Sequence, residues 1–165
     1  MTVNALDKST LSKTFGFHCL HYSVSEGCKS FNLPIHNRSG NAGSVWVRTV
    51  NDTATGGEDY HPVDKELVFK AGEDKIEVQI GIIDDDDWEP DEDFYVELLE
   101  PKTMEILEGA DTKCRVTIID DDKPGELYFE SKETIKVLSN EDVAIIKVLR
   151  KNGSDGIVAV DFATV

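Results

Sequence analysis

The chain has 165 residues, 39% of them apolar, and its 33 acidic side chains outnumber 17 basic ones for a net charge of −16. That balance repels phosphate-rich partners and excludes nucleic acid, while cations or a basic surface become the natural counterparts. No apolar run approaches the ~20 residues of a membrane helix, so membrane insertion is not expected, and Met1 to Phe15 lack the basic start and apolar centre of a signal peptide.

Residues 1–14 are expected to form a flexible N-terminal segment. From Phe15 onward, period-two alternation dominates. Phe15 to Val24 reads as a first, broken strand A. Phe31, Leu33 and Ile35 mark B; Val45, Val47 and Thr49 mark C; Leu67 and Phe69 mark D. Ile76, Val78, Ile80 and Ile82 mark E; Phe94, Val96 and Leu98 mark F; Cys114, Val116 and Ile118 mark G. No segment carries a helical period. Seven short alternating strands predict an all-β fold, an antiparallel β-sandwich over residues 15–123. The three cysteines, Cys19, Cys28 and Cys114, are an odd number and do not suggest a disulfide framework. Reduced thiols are the simplest account; one disulfide with a free thiol stays open.

Residues 124–165 read as the beginning of a second, truncated repeat. Phe129, Ile135 and Val137 match strand A, Ser139-Asn140-Glu141 matches Ser25-Glu26, and Ile145 to Arg150 and Ile157 to Thr164 match strands B and C.

The connections divide by charge. Asn37 to Gly43 and Ala71 to Asp74 are ordinary turns. Acid gathers instead at Glu26 after A, at Glu58 and Asp59 between C and D, in the stretch Asp84 to Asp93 between E and F, and at Asp120, Asp121 and Asp122 after G. If each strand reverses the one before, the A–B, C–D and E–F connections and the exit from G lie at one end. Every one of these acidic clusters belongs to that set, so sequence-distant carboxylates converge on one tip. Like charges crowded in a partly desolvated site repel by several kcal/mol at an effective dielectric of ~20, so the cluster calls for a compensating cation. Ca²⁺ takes six to eight oxygen ligands in flexible geometry, whereas Mg²⁺ prefers a strict octahedron with retained water and zinc prefers nitrogen or sulfur. His18, Cys19 and His21 alternate in facing and are read as structural. The acidic loop lacks the glycine and helices of an EF-hand. No nucleophile motif, phosphate loop or asymmetric carboxylate pair points to an enzyme.

These residues carry a family resemblance. Asp52-Thr53-Ala54 with Gly57-Glu58-Asp59-Tyr60 resembles the DGTA…G-x-DY signature of Calx-β domains, with Asn51-Asp52 where Asp-Gly is usual. Leu67-Val68-Phe69 and Gly72, the acidic run from Ile82 through Asp84, Asp85, Asp86, Glu89 and Glu92 to Phe94, and the closing Ile119-Asp120-Asp121-Asp122 continue the match across residues 15–122. Tyr22-Ser23-Val24 before Glu26 and Cys28 is similar to the first regulatory calcium-binding domain of sodium/calcium exchangers.

The resemblance implies a seven-stranded immunoglobulin-like β-sandwich and a non-enzymatic calcium sensor on the cytoplasmic side of a membrane transporter. It implies several Ca²⁺ ions, up to four, held by Glu26, Asp59, Asp84, Asp85, Glu89, Glu92, Asp120, Asp121 and Asp122. A backbone carbonyl serves where this chain has Asp87, and Pro90 replaces a usual acid. The implied partners are an adjacent Calx-β domain and the transmembrane part of the transporter. The alternative is an extracellular Calx-β adhesion repeat stiffened by calcium, which the sequons at Asn37, Asn51 and Asn152 favour slightly.

Overall fold

β-Branched and aromatic residues at alternate positions give strands with one wet and one buried face. In the computed structural model, which describes residues 11–163 other than 132, 139, 141 and 142, those strands are β1 (Phe15–Phe17), β2 (His21–Ser25), β3 (Ser30–Asn37), β4 (Gly43–Asn51), β5 (Asp64–Phe69), β6 (Lys75–Gly81), β7 (Glu92–Leu99), β8 (Lys113–Ile119), β9 (Glu126–Phe129) and β10 (Val148–Lys151). One compact unit comprises the described residues up to Asp84 together with Pro90–Asp120; the other joins Asp85–Glu89 to the described residues from Asp121 onward.

The first unit is an immunoglobulin-like β-sandwich. One sheet has the order β1-β3-β6 and the other β2-β8-β7-β4-β5. Their inner faces meet in a core in which Phe17, Leu33, Ile35, Val45, Val47, Phe69, Val78, Ile80, Phe94, Val96, Leu98 and Val116 are buried. These are the alternating apolar positions of the sequence, and each buried side chain of this size contributes about 1.5–3 kcal/mol relative to exposure. The outer face of the larger sheet is polar and paired across strands, with Arg48 against Asp64, Lys113 against Glu97 and Arg115 against Asp93.

The broken first strand is two strands on different sheets. β1 lies antiparallel to β3, with Phe17 opposite Ile35. Residues 18–20 carry the chain across the sandwich, and β2 runs parallel to β8, from His21 opposite Arg115 to Ser25 opposite Ile119. The amide of Arg115 donates to the Leu20 carbonyl at 2.9 Å, and His21 Nε2 and Thr117 Oγ1 lie 2.7 Å apart. This parallel pair departs from the expected all-antiparallel pattern but agrees with strand parity, because the first and last strands of an alternating series run the same way. All other pairings in the sandwich are antiparallel.

At one end, Asn37 N donates to Asp74 O, Arg38 N to Thr14 O, Gly72 N to Gly40 O and Phe17 N to Asp111 O. These bonds bind the β3–β4, β5–β6 and β7–β8 connections to one another, to β1 and to the segment before it. Residues 1–10 lie outside the described residues. Of the stretch expected to be flexible, residues 11–14 are tied into this end, and Ser12 is buried.

The second unit is small. β9 and β10 form an antiparallel pair from Val148 opposite Phe129 to Lys151 opposite Glu126. Arg150 organises it, donating from Nε to the Pro124 carbonyl at 2.6 Å and from Nη1 to the Gly156 carbonyl at 3.1 Å. Of the residues matched to strand A, Phe129 lies in β9, whereas Ile135 and Val137 have no regular structure. Residues 157–163, expected as a third strand, have no regular structure. In the first unit β4 is pinned between β5 and β7; the second unit offers residues 157–163 no such neighbours among the described residues. Glu141 lies outside the described residues.

Candidate metal centre

Strand register brings Glu26 to Asp120. Ser25 and Ile119 are partners in the parallel β2–β8 pair, so the next residue of each strand continues alongside the other. Glu26 opens a 3₁₀ turn, Glu26–Cys28, and is half-buried, as is Asp120. Their carboxylate oxygens lie within 4.8 Å of one another.

A second pair forms at the start of β7. Glu92 stands opposite Ile118 in the β7–β8 ladder, and Asp59 lies within the β4–β5 connection. Both are half-buried, and their carboxylate oxygens are likewise within 4.8 Å. Asp59 is held by its own loop: Asp59 Oδ2 accepts the Thr55 amide at 2.6 Å. The loop is braced by Asn51, whose Oδ1 accepts the Gly56 amide at 3.0 Å and the Tyr60 hydroxyl at 2.6 Å. Gly57 turns the chain at φ +96°, a conformation costly for other residues. The Tyr60 ring is buried and stacks on Phe94, with centroids 4.0 Å apart and planes 14° off parallel. Burial also raises the Tyr60 phenol above its ordinary pKa, so it stays protonated and donates to Asn51. The Gly57-Glu58-Asp59-Tyr60 motif is therefore a braced loop that fixes the position of the Asp59 carboxylate.

Backbone bonds join these loops at the end opposite Asp111. Ile83 N donates to Asp59 O at 2.9 Å, Ile82 N to Lys29 O at 3.0 Å and Ala54 N to Asp93 O at 2.9 Å. Asp84, which follows Ile83, leaves β6 at this end and is exposed. The remaining predicted residues, Asp85, Glu89, Asp121 and Asp122, belong to the second unit. There Asp85 Oδ1 accepts the Asp87 amide at 2.7 Å, tightening the loop.

Asp93, in the same acidic run, is turned away from this use. It lies beside Arg115 Nε at 3.2 Å and accepts the Thr117 hydroxyl, because neighbouring residues of a strand face opposite sides. Sequence reasoning omitted the supporting roles of Asn51, Thr55 and Tyr60, although Asn51 and Tyr60 both stand within the quoted signature. Two of the sequon asparagines are structural. Asn37 is buried and donates from Nδ2 to the Asn41 and Glu73 carbonyls at 2.8 and 3.2 Å, and Asn51 holds the Asp59 loop. His18 packs its ring on His36 at 5.8 Å, and none of the three cysteines is in a disulfide.

The donor set suits a hard cation. It is all carboxylate oxygen, and oxygens up to 4.8 Å apart can share an ion that sits ~2.3–2.6 Å from each, as calcium does.

Comparison with known proteins agrees with this architecture. Residues 9–122 match the family model of the Calx-beta domain, and residues 120–165 match it again. The chain belongs to the Calx-beta family. It is 36% identical to sodium/calcium exchanger 1 of Bos taurus over 178 aligned residues, covering 96% of this chain and 18% of the exchanger. It is 34% identical to sodium/calcium exchanger 3 of Mus musculus, covering 93% of this chain and 19% of that one. This Calx-beta chain thus spans about a fifth of the length of the exchangers it matches. Among solved structures, the apo-form Calx CBD1 domain is similar at 33% identity and a TM-score of 0.59, covering 66% of this chain and 96% of that one. The calcium binding domain CBD12 of CALX1.1 is similar at 32% identity and a TM-score of 0.62, covering 71% and 48%.

Proposed function

We propose that the sandwich is a non-catalytic calcium-sensing module in the cytosolic loop of a sodium/calcium exchanger-type transporter, binding several Ca²⁺ ions at its acidic end. The observation that carries the reading is the pairing of half-buried carboxylates from distant segments, Glu26 with Asp120 and Asp59 with Glu92. Without a cation each pair suffers mutual repulsion of a few kcal/mol at an effective dielectric of ~20; with one, the repulsion becomes coordination. Asp84, Asp85, Glu89, Asp121 and Asp122 are the further ligands of this reading, for up to four ions. Residues 124–165 begin a second Calx-beta repeat, the adjacent domain through which the occupied site acts on the membrane part. The likeness to exchangers and to a protein described as a calcium binding domain supports this reading. At Asn37 the sequon lends no support to an extracellular repeat, because its Nδ2 already donates to the Asn41 and Glu73 carbonyls.

Calorimetric titration with calcium tests the proposal. Glu92→Ala and Glu26→Ala should each weaken binding by about tenfold or more, since each removes a charged ligand from a small oxygen set. Asp93→Asn should titrate like wild type, because Arg115 and Thr117 already occupy that carboxylate. Equal losses in all three variants would mean that bulk negative charge, not a built site, attracts the ion.

A further inference from the structure

The far end of the sandwich carries a clamp that the calcium reading leaves unused. Asp111, in the β7–β8 connection, is 0% exposed. Its Oδ1 accepts the backbone amide of Ser12 at 2.7 Å, and its Oδ2 pairs with the Arg38 guanidinium. Arg38 in turn donates from Nη1 to the Ser12 carbonyl at 3.1 Å. Two glycines make room for this arrangement. A Cβ at Gly16 would collide with the Asp111 carboxylate and the Arg38 guanidinium, and one at Gly109 would collide with Ser12.

From Ser12 the chain runs through β1, crosses between the sheets, and follows β2 to Glu26. β1 is the edge of its sheet and β2 the edge of the other, each with a single hydrogen-bonded neighbour. Edge position leaves each strand one ladder to break, and because β1 also buries Phe15 and Phe17 in the core, the segment opens as a unit rather than by fraying. It is fastened at one end by the Ser12–Arg38–Asp111 clamp and at the other by whatever Glu26 and Asp120 hold together. We propose that Arg38 and Asp111 are positioning residues for the cation at Glu26: the clamp and the ion close the same segment, residues 11–26, from opposite ends of the sandwich. This inference rests on the calcium reading above. Opening of the segment removes Glu26 from the site, so an ion bound there opposes opening, and a broken clamp favours it. Because the two ends bias one equilibrium, the effect is reciprocal.

Amide hydrogen exchange on the whole chain, with and without calcium, reads the coupling directly. In the wild type, calcium should slow exchange of residues 11–17, which carry none of the candidate ligands. Arg38→Met should speed exchange there and weaken calcium binding about fivefold or more, within the usual range of coupling between sites, while Arg38→Lys, which keeps the charge, should recover part of both. Calcium heat in the wild type with unchanged exchange at residues 11–17 overturns the inference and spares the calcium reading. Arg38→Met titrating like wild type does the same. Absence of calcium heat in the wild type overturns both.

Discussion

Asp93 and Glu92 show what a single residue's facing decides. Both belong to one acidic run, yet Glu92 reaches the Asp59 carboxylate while Asp93 is committed to Arg115. Strand alternation made that difference legible once the start of β7 was placed. That Glu26 and Asp120 leave their strands at the same end was legible from parity; that they stand side by side was not, because it rests on the parallel β2–β8 register. The bracing of Asp59 by Asn51 and Tyr60 was not, because a hydrogen bond between side chains nine residues apart leaves no periodic trace. The cysteines allow a check at the same scale. Cys19 and Cys28 are exposed, whereas Cys114 is 0% exposed and burial pushes its thiol up to about 12. Since the thiolate is the reactive form, an aromatic disulfide reagent at neutral pH should modify Cys19 and Cys28 in the native protein. Cys114 should react only on unfolding. Mass spectrometry of the modified peptides reads this, and rapid native labelling of Cys114 would contradict the packing of β8.

At the scale of elements, the strands were legible because burial imposes a period of two, and the crossing of the first strand between sheets was not. The sequence HCL at residues 18–20 interrupts the pattern without saying where the chain goes; the destination is set by the open edge of β8, a long-range property. The elements also tie core to site, for Phe94 follows Glu92 on β7 and supports the ring of Tyr60 beside Asp59. Phe94→Ala removes a fully buried ring from both the core and that stack. It should cost about 3–5 kcal/mol, the usual range for emptying an aromatic core position. Urea unfolding should show a lower midpoint with little change in slope. A loss below about 1 kcal/mol would mean that the stack does not hold the β4–β5 connection in place. Leu98→Ala, at the opposite end of the same strand, should destabilise the fold comparably and leave calcium affinity unaltered, which separates the support of the site from general stability.

For the whole molecule, the division of labour between the two units is uneven. The sandwich encloses a core with two sheets, as a stable β-sandwich requires. The second unit presents one antiparallel strand pair among its described residues, and its large apolar side chains face solvent, Ile157 at 98% and Phe162 at 91% exposure. Roughly forty residues lie near the lower limit for independent folding without disulfides or metal, and residues 124–165 hold no cysteine. Truncation after Lys123 is therefore expected to leave the sandwich folded, with an unchanged cooperative transition in circular dichroism. Most calcium binding should survive, because the truncated chain keeps Glu26, Asp59, Glu92, Asp120 and the acidic loop. Binding of a hydrophobic dye should fall sharply, since the exposed apolar surface leaves with the removed residues. Any concentration-dependent association in ultracentrifugation should fall with it, because exposed apolar strands invite pairing. Unfolding of the truncated sandwich would show instead that residues from 124 onward are part of its structure, and the boundary at 123 would have to be given up.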